Sequence, residues 1–279
     1  MNKANLLLFS FLIFPAAIFA QSDIPGQLKI KLEQLSIDAN TRISGEKLHS
    51  IEYISNLYKK NDYQPFWKKK EFVGDAIYGL ENSFHDGLLP DDYHLNVIKS
   101  ILSKNITFEN TDPESINVLA DLDLLLTDGI IFYADHLLYG KIDPLTQVTT
   151  WNFGFAPIPD LNPENLNLYI ANREISSRLE ELRPDMHLYD TLMNALAQYR
   201  EIMIKSGWEA ILPGGKIEPG NKDARIPAIR NRLLITGELN AIDSMTSFYY
   251  DEKLETDIKA FQASHGLEAD GIIGAGTFR

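Results

Sequence analysis

The stretch from Ile116 to Tyr139 is the most apolar in the chain, yet Asp121, Asp123, Asp128 and Asp135 interrupt it. A membrane-spanning helix needs about 20 predominantly apolar residues, and carboxylates near its centre are costly. The stretch therefore reads as a buried helix of a soluble domain, with most of the aspartates forming its polar face. Around it, from Gln27 to about Trp208, apolar residues recur at the three- and four-residue spacing of an α-helix. Ile51, Ile54, Leu57 and Tyr58 make one stripe, and Ile77, Leu80 and Phe84 make a second that stops at Asp86-Gly87. Tyr189, Leu192, Leu196, Tyr199 and Ile202 make a third, begun after Pro184 and closed at Gly207. Loops at Gln64-Pro65, Leu89-Pro90, Asp143-Pro144 and Phe155 to Pro163 separate the helices, because proline cannot continue them. The expected fold class is all-α (mainly), with a helical domain over 21–211.

Residues 212–223 concentrate Pro213, Gly214, Gly215, Pro219 and Gly220 and read as a linker. A smaller unit, 224–279, follows. Ile226, Ile229, Leu233 and Leu234 predict its first helix, ended by Gly237. Asp251 is suited to cap a helix opening at Glu252, with Leu254, Ile258 and Phe261 on one face. Gly266 stands where a left-handed cap residue is wanted, and Leu267 can fold back onto Phe261. Asp270-Gly271 marks the next turn, Gly274 another, and Thr277 is suited to begin a further helix.

The 279 residues include no cysteine, which removes disulfides, thiolate nucleophiles, zinc knuckles and iron–sulfur clusters. With 26 basic against 39 acidic residues, the formal charge of -13 opposes a nucleic-acid partner. Residues 1–20 have the order of a secretory signal: Lys3, an apolar run from Leu6 to Phe14, then Pro15 and small residues up to Ala20. Cleavage after Ala20 leaves a protein with no transmembrane segment; retention would make these residues an anchor. Either way the remainder is exported.

The string from Phe261 through Gln262, Ser264, His265, Gly266, Leu267, Asp270 and Gly271 to Gly274, followed by Thr277, resembles the signature of the peptidoglycan-binding-like domain, a three-helix cell-wall targeting module. In that family an apolar residue follows a few positions past the threonine, so the resemblance implies a module incomplete in its last helix. Upstream, Gly87 to His94, Tyr139 to Pro144, Tyr189 to Tyr199, Gly207-Trp208, Arg230 to Leu233 and Thr236-Gly237 together resemble the helical scaffold of large periplasmic murein L,D-transpeptidases. In that family a catalytic domain follows, in which a cysteine of a Ser-His-Gly-Cys motif attacks a stem peptide; the resemblance implies the non-catalytic part, with that domain lacking here. Here Ser264-His265-Gly266 is followed by Leu267, so His265 is expected to be a helix-end residue.

Three other chemistries are weighed and set aside. His85, Asp86, Asp91, Asp92 and His94 could suggest a metal, but a turn at Gly87 and Pro90, with Asp91 or Asp92 capping the next helix and the histidines partly exposed, explains them better. A carboxylate pair for glycosidic cleavage is not singled out among so many acids. Tyr63, Phe66, Trp67, Trp151, Phe153 and Phe155 could stack on sugars but more often such residues anchor a core. The expected function is that of an exported, periplasmic or envelope protein: the peptidoglycan-binding, non-catalytic portion of an L,D-transpeptidase, without cofactor or metal. The alternatives are a carboxylate-dependent wall hydrolase and a scaffold for another envelope protein. Arg232, Gln262, His265 and Asp270 are the expected ligand contacts; Asp251, Phe261, Gly266, Leu267, Gly271, Gly274 and Thr277 are the expected structural signature.

Overall fold

The computed structural model describes residues 23–104, 107–109, 111–142, 158, 161–205, 207–212, 214–239 and 245–279. The expected signal segment, Trp151, Phe153, Phe155 and Asp143-Pro144 lie outside them. The described residues are mostly helical and contain no strand, only isolated bridges, as expected of an all-α chain. In chain order the helices are α1 (Ile24–Ile37), α2 (Ile51–Lys60), α3 (Lys70–Asn82), a 3-10 turn (Pro90–Tyr93), α4 (Leu95–Leu102), α5 (Pro113–Tyr139), α6 (Pro163–Asn172), α7 (Ile175–Glu181), α8 (His187–Ile204), α9 (Ile226–Thr236) and α10 (Glu252–Ser264). They divide into two compact units, with the division between Tyr189 and Asp190.

In the first unit α5 is the axis. Asp112 caps it by accepting from the Ser115 amide at 2.9 Å, Pro113 occupies its first turn, and Gly140 ends it. Helices α1, α2, α3, α4 and α7 all pack on it. Because it is enclosed on nearly all sides, its aspartates do not form a polar face: Asp121, Asp123 and Asp128 are buried. This corrects the reading from periodicity, which assumes that one side of a helix meets water. Buried carboxylates persist only with partners, and each of these has them. Asp121 takes Lys31 Nζ and Ser44 Oγ, both at 2.7 Å. Asp123 accepts from the Tyr58 hydroxyl at 2.5 Å and from the amides of Phe66 at 3.1 Å and Trp67 at 2.9 Å. Asp128 accepts from the amides of His49 at 2.9 Å and Ser50 at 2.7 Å. Gly129 lets the 3-10 turn approach, since a Cβ there would stand 2.6 Å from the Tyr93 carbonyl oxygen.

The second unit has its own core of Ile217, Ile226, Ile229, Leu233, Leu239, Tyr250, Leu254, Ile258 and Ile273. Ile217 belongs to the proline- and glycine-rich stretch, yet it is buried and pairs with Ile273 through two 3.0 Å backbone hydrogen bonds. Lys222 similarly bridges to Tyr249. The third apolar stripe does form a helix, α8, but it buries no residue: Leu192 is 61% and Tyr199 51% exposed.

Candidate functional site

The small unit is assembled around both ends of α10. At its start, Asp251 Oδ1 accepts from the Leu254 amide at 2.9 Å, the expected cap. Its Oδ2 takes the Arg230 guanidinium at 2.7 Å, and the same guanidinium nitrogen donates to the Tyr249 carbonyl at 3.1 Å. Burial raises the Asp251 carboxyl, but the Leu254 amide and Arg230 outweigh it and hold the group below the ordinary range. Arg230 is 1% exposed; it stood in the sequence only as part of the Arg230 to Leu233 resemblance, and its role as a buried partner of Asp251 had no local signal.

At the other end, Gly266 adopts φ 69°, and the Leu267 amide donates to the Gln262 carbonyl at 2.8 Å, the return of the chain that a left-handed cap produces. The Gln262 side chain then staples the following turn. Its Oε1 accepts from the Gly271 amide at 2.9 Å; its Nε2 faces Asp270 Oδ1 and the Ile272 carbonyl at 3.0 Å each and Thr277 Oγ1 at 3.3 Å. The Tyr250 hydroxyl closes the same turn by donating to the Gly271 carbonyl at 2.6 Å. Gly271 has φ 76°, as its turn requires, whereas Gly274 needs no positive φ. Thr277 lies in a turn over 275–278, and its hydroxyl also reaches the Ile272 carbonyl at 3.3 Å rather than opening a described helix.

Of the four expected contacts, the structure joins Gln262 to Asp270 and sets them differently. Gln262 is 2% exposed, so it acts on the turn from inside the unit. Asp270 is exposed, and the Ile272 amide it accepts from at 2.8 Å, together with Gln262, holds its carboxyl below the usual range. His265 is exposed; its ring stacks on half-buried Phe261 at 4.0 Å, and Nδ1 reaches the Phe261 carbonyl at 2.9 Å. Arg232 instead sits over the Trp208 indole, with its guanidinium carbon 3.4 Å from the ring centroid, and Tyr199 is edge-on to the same indole at 6.4 Å. Trp208 and Tyr199 are partly open to solvent, a feature that a tryptophan after a glycine only hints at in sequence.

In the first unit, the His85 to His94 segment is structural. Asp86 takes a two-pronged Arg183 contact at 2.8 and 3.1 Å, the Tyr189 hydroxyl at 2.8 Å and the Tyr133 hydroxyl. Asp92 pairs with Lys141 at 2.6 Å, and neither Asp91 nor Asp92 caps a helix; His94 itself, at φ 64°, precedes α4. His94 is buried rather than partly exposed, while His85 is exposed. Among the described residues no group of three or more His, Asp or Glu is placed to hold a metal ion. Phe66 and Trp67 are each 2% exposed, so they are core; the Trp67 indole donates to Thr127 at 3.1 Å.

The chain is thus a helical protein of modular build, with an enclosed helical unit followed by a small capped-and-stapled one. The Scaffold domain family matches residues 52–196, and the putative peptidoglycan binding domain matches residues 224–279. The chain belongs to the family of the Scaffold domain, that of the L,D-transpeptidases, and carries a peptidoglycan-binding domain beside it. No curated protein matches the chain. Both domains mark an envelope-associated protein, and among the described residues no helix is long and apolar enough to cross a membrane.

Proposed function

We propose that this chain docks on peptidoglycan through residues 224–279 and performs no chemistry on it with its own side chains. The observation that carries the reading is the peptidoglycan-binding match falling on the unit whose Asp270 turn Gln262 holds in place. Exposed His265 and Asp270, with the Arg232–Trp208 pair, are the contact groups of this reading, and Gln262 positions Asp270. Such a set suits a muropeptide: the indole and guanidinium offer an apolar face and a positive charge, and Asp270 offers an acceptor to an amine.

The absence of cysteine supports the non-catalytic part, since the reaction of L,D-transpeptidases runs through a thiolate. The buried aspartates of α5 are engaged by amides, hydroxyls and a lysine, which leaves them unsuited to attack a glycosidic bond. In this reading residues 1–20 are a signal removed after Ala20, the chain is exported to the periplasm, and it includes a scaffold over 21–211, a segment over 212–223 whose Ile217 packs into the second unit, and the binding module. Co-sedimentation of the full chain with purified sacculi tests it: the protein should pellet, and recovery in the supernatant would overturn it. Incubation with muropeptides followed by mass analysis should return them unchanged.

A further inference from the structure

The turn from Ile43 to Glu46 is anchored in the core by Ile43, which is 3% exposed, and is further tied to the rest of the first unit by two polar side chains. One is Ser44, through Asp121. The other is Glu46, whose Oε2 lies 3.1 Å from His94 Nδ1, while the opposite ring nitrogen, Nε2, lies 2.8 Å from Asp128 Oδ2. The His94 side chain is 1% exposed and that of Asp128 is fully buried.

A neutral imidazole has one N–H and one lone pair, so it can donate to only one of two carboxylates; its other nitrogen would set a lone pair against a carboxylate oxygen. An imidazolium donates to both. We infer that His94 is protonated in the folded protein and that its proton is a pH-sensitive latch holding the Ile43–Glu46 turn against α5. This inference does not rest on peptidoglycan binding.

The charged and titratable groups around the ring agree in sign. Burial disfavours the cation, but Asp128 from α5 and Glu46 from the turn outweigh it and raise the imidazole above its ordinary value. His49, whose ring centroid is 5.9 Å away, opposes the cation when protonated, and its own burial lowers its affinity for a proton. Lys47 and Asp92 act on His49 with opposite signs. The left-handed backbone of His94, φ 64°, aims the ring between the two carboxylates.

The stabilisation is full below the ordinary imidazole value of about 6.5 and is lost as pH rises through the higher folded value. On deprotonation Asp128 keeps one N–H and its two backbone amides, so α5 remains seated. Glu46 loses its imidazole partner, leaving Ser44 as the polar tether beside buried Ile43. His49 and Ser50, just beyond the turn, line a cavity of about 440 Å³ and stay fixed to Asp128 through their amides.

Histidine NMR titration of the full chain, paired with amide exchange from pH 5 to 9, tests the latch. His94 should titrate above 6.5, and the Glu46 amide, which donates to the Ile43 carbonyl at 2.9 Å, should lose roughly tenfold protection across that titration after correction for intrinsic exchange. Glu46→Gln, a change at a partly exposed position, should lower the His94 midpoint by about one unit. A His94 ring that titrates below 6.5, Glu46 protection that does not follow it, or an unmoved midpoint in Glu46→Gln would overturn the inference.

Discussion

Gln262 accepts the Gly271 amide on a side chain that is almost fully enclosed, so one residue of α10 fixes the turn nine positions later. Replacement by alanine leaves that buried N–H without a partner and the Ile272 carbonyl with only the longer Thr277 contact. We expect Gln262→Ala to destabilise the small unit by about 2–3 kcal/mol, read as faster amide exchange across 252–278. Sacculus binding should fall with it because Asp270 loses its support. A variant that bound less while exchanging as slowly as the parent would return Gln262 to a contact role.

His265→Ala and Asp270→Ala remove exposed groups, so they should weaken sacculus binding several-fold with melting nearly unchanged. Unaltered binding in both would move the contact surface elsewhere in the unit.

Arg232→Ala strips the cation from the Trp208 ring. The expected cost in stability is about 0.5–1 kcal/mol for a partly exposed pair, and the tryptophan emission should shift as water reaches the indole. Identical emission in Arg232→Ala and parent would contradict the stacked arrangement.

Two buried groups of the first unit pull stability in opposite directions with pH. Burial lowers His136 to about 4, with Lys141 adding to the effect, and its Nδ1 lies 2.8 Å from the Tyr93 hydroxyl. Its contribution is full above about 6.5 and is lost as pH falls through about 4. Burial raises Asp123 to about 6 despite the Tyr58, Trp67 and Phe66 hydrogen bonds, so its contribution is full below its ordinary value and is lost as pH rises through about 6. His136→Gln should therefore lose less stability than the parent between pH 6.5 and 4 in thermal melts. Equal losses would remove His136 from the acid response.

Gly129→Ala places a methyl against the Tyr93 carbonyl, which is backbone and cannot swing aside. Overpacking of this kind costs about 1–3 kcal/mol, measurable as a lowered urea midpoint with helix content retained. A midpoint equal to the parent's would mean that the turn shifts freely.

The small unit was legible in the sequence because its signals are local: the Asp251 cap, the Gly266 reversal and the Asp270-Gly271 turn each depend on neighbours within a few positions. Gln262 was legible as part of the signature but not as an interior residue, since its partners are the backbone of a later turn. The same holds for Asp123, whose donors Phe66 and Trp67 lie 57 and 56 residues away. Periodicity also found α8 without showing that its stripe would stay open, because spacing describes a helix and not what covers it. The Trp208 and Arg232 pairing was missed for the related reason that neither residue carries a local signature of the other.

The carboxylates of α5 have a further effect on how the first unit comes apart. Asp128 collects the chain just ahead of α2, Asp123 collects the segment after it, and Asp121 collects α1 and the turn between them. None of these segments can peel away alone without stranding a buried charge. The unit should open as one cooperative block, so that a protease meets either the intact domain or the unfolded chain, with little trimming in between.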